Sequence, residues 1–486
     1  MTIRLYNTAT KNKEDFKPLK QNEVGIYVCG VTVYDLCHIG HARSAIVFDV
    51  LVRYFRARGF KVTYVRNFTD VDDKIIIRAN ELGKEPLALA QENIDTFYED
   101  MDRLAILRPD KEPRATEHID HMIDMIKVLI EKGFAYVEGG DVYYSVERLH
   151  DYGSLSGRRI DDMKAGCRIK VDEKKRHPMD FALWKGAKPD EPWWDSPWGH
   201  GRPGWHMECS VMSNFYLGPT FDIHGGGKDL LFPHHENERA QSVAANGVEF
   251  ARYWVHNGFV TVESDKMSKS LGNFITVRDA LKEYPAEVLR LFLISKHYRS
   301  PLDFARKDIL NTRSGLVKAY RTLQRLESIT GRIGRDRDSR RSEVLTGEEE
   351  DEFIRQFITV MDDDMNSAGA VGLIFEKVKE MNRLMDELDN RPDKILLKRL
   401  VEDRANLMTA TDVLGILQHD PEEFINSIAG PSDIDTEEVE RLIRERADAR
   451  AGKDWVRADM VRKTLQDMGV IIEDTPQGTK WRRATS

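Results

Sequence analysis

Gly25-Ile26-Tyr27-Val28, then Cys37-His38-Ile39-Gly40-His41, then Lys61-Val62-Thr63-Tyr64-Val65 decide the fold. The first and third runs are short, β-branched and aromatic, the composition of buried strands. Between them Ala45, Phe48, Val52 and Phe55 recur at three- and four-residue steps, which predicts a helix from about His41, with Gly59 at its C-terminal cap. Strand, helix and strand in so short a span make a βαβ unit and hence a parallel sheet. Ligands of such sheets sit at the carboxyl ends of the strands, beside helix N-termini. Strand-like runs resume at Phe221-Asp222-Ile223 and Tyr253-Trp254-Val255.

Outward from this core, Thr69 and Asp70 are expected to cap a helix beginning near Asp72. Ala135 to Tyr144 reads as a hairpin turning on Gly139-Gly140. Arg158 to Gly204 is rich in Pro, Gly and Trp, and after Asp303 the pattern is almost wholly helical. Arg335 to Arg341 reads as a charged linker and Gly430-Pro431-Ser432 as a boundary. The expected architecture is α/β: a Rossmann-like parallel-sheet catalytic domain with an inserted subdomain, then a helical bundle and a small C-terminal domain.

At 486 residues the chain is too long for one ordinary core. Charged residues make up 32% and the formal net charge is −9, which argues against a membrane protein and gives no general bias toward nucleic acid. The stretch from Arg441 to Arg483 is nevertheless locally basic. The polar opening through Phe16 predicts no signal peptide, and four cysteines are too few for a disulfide framework, so a cytoplasmic setting is expected.

Three constellations carry chemistry. His38 and His41, three apart at a helix N-terminus, set imidazole donors beside unpaired backbone N–H groups and the positive end of the helix dipole, with Gly40 allowing close approach. That combination holds a phosphate and stabilises charge developing on it. Lys266-Met267-Ser268-Lys269-Ser270 offers two cations in a Ser/Gly-flanked loop, suited to a polyphosphate. Cys29, Cys209, His234 and Glu238 combine two thiols, an imidazole and a carboxylate, a donor set for zinc, with the last pair at helical i, i+4 spacing. From the residues alone Cys37, Cys167 and His235 stay open as alternative ligands. Cys37 begins the phosphate turn, Cys167 falls in the insertion, and the i+4 neighbour of His235 is Arg239, which cannot ligate.

The first two constellations match the HIGH and KMSKS signatures of class I aminoacyl-tRNA synthetases. Tyr34 to Arg43, Asn67 to Ile75, Gly204 to Ser210 and Asp222 to Leu230 resemble the cysteinyl-tRNA synthetase family, as does the closing Leu465 to Arg483. The resemblance spans nearly the whole chain. It implies ATP-dependent activation of L-cysteine and transfer to tRNA(Cys), with one zinc ion on Cys29, Cys209, His234 and Glu238, and Mg2+ accompanying ATP. It implies nucleotide contacts from His38, Gly40, His41, Lys266, Ser268 and Lys269, of which the two histidines and two lysines are catalytic. It also implies a cysteine pocket that includes Gly30, Thr69, Trp205 and His224, with Asp229 nearby, and a monomer. Trp455 beside Arg457 could stack on an unpaired base, or Trp455 could instead anchor the tail in its core.

The expected divisions are 1–114 and 201–260 for the two catalytic halves and 115–200 for a connective insertion. They continue with 261–310 for the KMSKS and stem-contact region, 311–428 for an anticodon-binding bundle and 429–486 for a C-terminal tRNA-binding domain. The insertion looks too short for a hydrolytic editing domain. The cysteine ligase of mycothiol synthesis resembles these synthetases through the catalytic domain, but it has no need of an anticodon-reading module. A non-enzymatic zinc-binding RNA module is a rival that would need no phosphate motifs.

Overall fold

The computed structural model describes residues 2–158, 174–189, 191–262, 265–266, 274–330, 344–345, 351–428, 436–452, 454–467, 470–475 and 478–483. Cys167, Ser268, Lys269, the Arg335–Arg341 linker and the Gly430 boundary lie outside them.

The βαβ unit is present. Strand Glu23–Val28 feeds helix Ile39–Ala57, which returns to strand Lys61–Arg66, and the two strands pair in parallel. Gly59 adopts φ +83° just past the helix end, a left-handed position that a side chain disfavours. The chain then crosses to the other side of Glu23–Val28 and adds Phe221–Gly227 and Ala251–Asn257, also parallel. The sheet order therefore runs 251–257, 221–227, 23–28, 61–66. Its direction of growth reverses at Glu23–Val28, and a crevice opens there at the carboxyl edge.

Between the halves lies a four-stranded antiparallel sheet of Ala135–Glu138, Asp141–Tyr144, Phe181–Gly186 and Gly201–Pro203, backed by helix Ile119–Glu131. Gly139 and Gly140 at φ +60° and +85° make the expected hairpin turn. The helix capped near residue 70 is corrected: it is Asp73–Leu82, capped by the Asp72 carboxylate, which accepts from the Lys74 N–H. Asp70 instead accepts from the backbone and hydroxyl of Thr116. A long-range partner outcompetes the local cap.

Helices Arg306–Thr330, Glu352–Asp362, Ser367–Asn390, Lys394–Leu414 and Pro421–Ile428 form the bundle. One continuous apolar core joins it to the catalytic sheet, running from Val24 and Phe48 to Tyr320, Leu407 and Phe424. The closing region is not wholly helical. After helices Thr436–Ala451 and Trp455–Asp467 comes an antiparallel pair, Val470–Thr475 and Gly478–Arg483, and Val439, Leu442, Val461, Leu465 and Val470 share a small core. No helix among the described residues is long and apolar enough to cross a membrane.

Candidate active site and metal cluster

A cavity of about 460 Å³ opens at the carboxyl edge of the parallel sheet. Gly30, His38, Gly40, His41, Trp205 and Asp229 line it, as sequence reading places them, with Cys29 at one end. Thr69 and His224 are buried and are not among its lining residues.

His38 is the N-cap of the 39–57 helix. Its Nδ1 accepts from the backbone N–H groups of Gly40 (3.1 Å) and His41 (3.3 Å), and His41 Nδ1 accepts from the His38 N–H at 3.4 Å. Both rings therefore use Nδ1 as acceptor, which fixes the ring proton on Nε2. The rings stack at 3.6 Å between centroids. Burial, helped by His38 and Lys74, holds His41 well below the usual imidazole range, so it is a neutral donor near pH 7.

The histidine turn is joined physically to the segment that follows the lysine-rich stretch. Strand Val260–Val262 pairs with Asp265–Lys266, which puts the Lys266 backbone on the rim, and Val260 itself lines the cavity. Past the lysine motif the chain re-emerges at Phe274, whose ring meets His38 edge-on at 5.1 Å. Ile39 N–H then donates to Ile275 O and Val277 N–H to Cys37 O.

At the inner end, Cys29, Cys209, His234 and Glu238 bring their ligand atoms within 4.8 Å of one another. Cys29 Sγ lies 3.5 Å from Cys209 Sγ and 3.2 Å from Glu238 Oε1, and His234 Nε2 lies 2.9 Å from the same oxygen. The helix proper starts at Glu236, one residue after a π-turn over Leu231–His235, yet the 234/238 pair still converges. Burial opposes charge throughout. Even so, the Cys29 hydrogen bond and His234 pull the Cys209 thiol down to about 6. Burial likewise disfavours a charged His234, but Glu238 and Cys209 outweigh it and raise that imidazole to about 10.

Further side chains hold these four in place, among them His206, to which sequence reading assigned no role. His206 Nδ1 sits 2.9 Å from His234 Nδ1, and His224 Nε2 binds Glu238 Oε2 at 2.8 Å, leaving Oε1 for the cluster. Trp205 stacks on His234 at 4.2 Å and links cluster to cavity. A second group, Cys29, His224, His235 and Glu238, shares two members, but His235 Nε2 is 4.0 Å from Glu238 and its Nδ1 is taken up by His256. Cys37 is buried apart from both groups. Thiol, imidazole and carboxylate in this proximity fit a borderline-soft divalent cation.

Asn67, also unassigned by sequence, donates nothing local but accepts from Gly30 N–H at 2.9 Å, and its own carbonyl would lie 1.5 Å from a Cβ on Gly30. Only glycine fits there. Thr69 gives its hydroxyl proton to the buried Glu208 at 2.6 Å. In the C-terminal region Trp455 is 60% exposed, so it is not a core anchor, and Arg457 pairs with Glu445 at 3.0 Å.

The parallel sheet and the histidine-capped helix at its switch point fall within a family match that places the chain among the class I aminoacyl-tRNA synthetases. The sequence model described as "tRNA synthetases class I (C) catalytic domain" matches residues 15–314. A DALR domain matches 356–418 and the "Cysteinyl-tRNA ligase anticodon binding domain" matches 436–482. The chain belongs to the cysteine–tRNA ligase family. It is 52% identical to the cysteine–tRNA ligase of Geobacter metallireducens, over 99% of this chain and 100% of that one. It is 50% identical to that of Thermodesulfovibrio yellowstonii, over 99% of each. Among solved structures, Mycobacterium tuberculosis methionyl-tRNA synthetase in complex with methionyl-adenylate shares the fold at TM-score 0.58 and 16% identity, covering 85% of this chain and 94% of that chain. A putative arginyl-tRNA synthetase from Campylobacter jejuni does so at 0.53 and 15%, covering 83% and 95%.

Proposed function

We propose that the chain activates L-cysteine with Mg-ATP and transfers it to the 3′ end of tRNA(Cys), selecting its substrate through a zinc-held thiol. The observation that carries this reading is the four-residue cluster at the inner end of the cavity whose wall includes His38 and His41. The cysteine carboxylate attacks the α-phosphorus of ATP, and the bond to the β-phosphate bridging oxygen breaks to release pyrophosphate. A ribose hydroxyl of the terminal adenosine then attacks the cysteinyl carbonyl and AMP leaves. His38 and His41 donate from Nε2 to charge growing on the α-phosphate, and Lys266 and Lys269, with Ser268 between them, hold the β- and γ-phosphates. Gly40 gives the backbone room beside them.

Cys29, Cys209, His234 and Glu238 would hold the zinc, which when bound supplies a thiolate-selective contact for the substrate sulfur. Gly30, Trp205 and Asp229 frame the amino acid, and Thr69 and His224 complete its pocket. Serine differs from cysteine by one heavy atom, which an apolar pocket rejects poorly. Selection of order 10⁴ needs about 5.5 kcal/mol, a size that metal–thiolate preference can supply.

The segments 115–200, 261–310, 311–428 and 429–486 are read as insertion, stem-contact region, bundle and tRNA-binding end. The exposed Trp455 and neighbouring Arg457 support base stacking there. Family membership supports a monomer working in the cytoplasm. Charging of total tRNA with labelled cysteine is the test, read beside cysteine-dependent ATP–pyrophosphate exchange. Exchange without tRNA charging would favour ligation to another acceptor, and absence of both would end the reading.

A further inference from the structure

Arg43 stands two residues past His41 and is fully buried. Its guanidinium meets no carboxylate within ion-pair distance among the described residues and is caged instead by main-chain carbonyls. One Nη atom donates to Gly258 O (3.0 Å) and Phe259 O (2.7 Å). The other donates to Ser300 O (2.5 Å), with Tyr298 O and His297 O at 3.4 and 3.5 Å. Burial draws its pKa down to about 10, still well above neutrality, so the charge persists. A buried cation that spends its donors on carbonyls from two separate segments holds those segments together at a fixed spacing.

Both segments matter to the nucleotide site. Residues 257–260 line the cavity, and Val260–Val262 pairs with Asp265–Lys266 on one side and Leu302–Asp303 on the other. The close approach is enforced from the opposite direction, since a Cβ on Gly258 would lie 2.6 Å from Ser300 O and 2.7 Å from Arg299 O.

We propose that Arg43 is a positioning residue for adenylation: its guanidinium fixes cavity wall 257–260, and the strand pair that carries Lys266, against the helix that carries His38 and His41. This rests on the ATP reading of the cavity given above.

Arg43→Gln is expected to lower kcat of cysteine-dependent ATP–pyrophosphate exchange by about 100-fold, the scale of a misplacement near 1 Å. ATP KM rises, while zinc content and cysteine KM stay within about twofold of the parent, because the Arg43 hydrogen bonds among the described residues go to carbonyls of 258–259 and 297–300 and none to a cluster residue. Arg43→Lys, which keeps the charge but not the fork, recovers part of kcat. Gly258→Ala, which forces the caged carbonyls apart, reproduces the Arg43→Gln split. Parent-like exchange in Arg43→Gln overturns the proposal, as does an equal loss of zinc, cysteine KM and kcat. If Arg43→Gln does not fold, Arg43→Lys and Gly258→Ala decide by the same criterion. Lys269→Ala is measured alongside. Parent-like exchange there defeats the ATP reading itself, whereas a slow Lys269→Ala with a parent-like Arg43→Gln defeats this inference alone.

Discussion

At the cluster, four ionisable side chains crowd together with all but Cys29 buried, and only mutual compensation makes that tolerable. Burial raises the Glu238 carboxyl, but His234 and His224 outweigh it and hold it well below its ordinary range. Burial and the adjacent Cys209 push the Cys29 thiol up. The result alternates charge around a centre that two thiols face, and a divalent cation there would displace the protons on Cys29 and His234. Cys209→Ser keeps the shape and removes the soft donor. It is expected to lower bound zinc far below one per chain and cysteine-over-serine discrimination in exchange by at least about 100-fold, out of the order of 10⁴ required. Full zinc with lost selectivity would move the specificity elsewhere. All four proposed ligands were legible from residue type together with the resemblance. His206 and Asn67 were not, because their roles depend on partners 28 and 37 residues away that only the fold brings near.

Helix 39–57 and strand 221–227 explain a glycine run that has no local reason in sequence. A Cβ on Gly225 would lie 2.3 Å from the Phe48 ring, one on Gly226 2.8 Å from His235, and one on Gly227 2.4 Å from the Asp229 carboxylate. The strand is bare so that helix 39–57 can lie close on it, with His235 and the Asp229 carboxylate packed along its end. Gly225→Ala is expected to destabilise by about 1–3 kcal/mol through overpacking. It should also slow exchange by displacing His38 and His41, and Phe48→Leu added to it should recover part of both, read by urea unfolding and exchange rates. The parallel strands and this helix were legible from periodicity. The 470–483 pair was not, because a short apolar run, Val470-Ile471-Ile472, follows a basic helical stretch and reads equally as its continuation. The cap at Asp72 was missed for a related reason: Asp70 is as good a cap by composition, and its distant bond to Thr116 decides between them.

Across the molecule, buried carboxylates bolt the bundle to the catalytic domain, with a density of polar ties that a continuous apolar core alone would not predict. Glu287 accepts from Tyr320 and from the Leu417 and Gln418 amides, and Asp364 accepts from Tyr6 N–H, Tyr298 and Arg299. A fully enclosed ion pair ties Asp49, on helix 39–57, to Arg290. Arg290 also donates to Leu414 O at the end of a bundle helix and to Leu104 and Ala105 O. Burial pushes the Asp49 carboxyl up, but Arg290 and Arg53 more than compensate and hold it below its usual value. The stability it contributes is therefore present above the unfolded pKa of about 3.9 and is lost as pH falls through the lower folded value. Arg290→Met leaves that carboxylate buried with Arg53 and the Leu107 N–H as its remaining partners and is expected to cost about 3–5 kcal/mol at pH 7. Without Arg290, burial moves the folded pKa of Asp49 upward, so protonation relieves the variant before it affects the parent. Urea unfolding from pH 7 to pH 4 should accordingly show the gap between parent and Arg290→Met narrowing as pH falls, and adding Asp49→Leu should close part of it at pH 7. A gap constant with pH would assign the loss to the severed carbonyl bonds at Leu414, Leu104 and Ala105 and remove Asp49 from the junction's electrostatics.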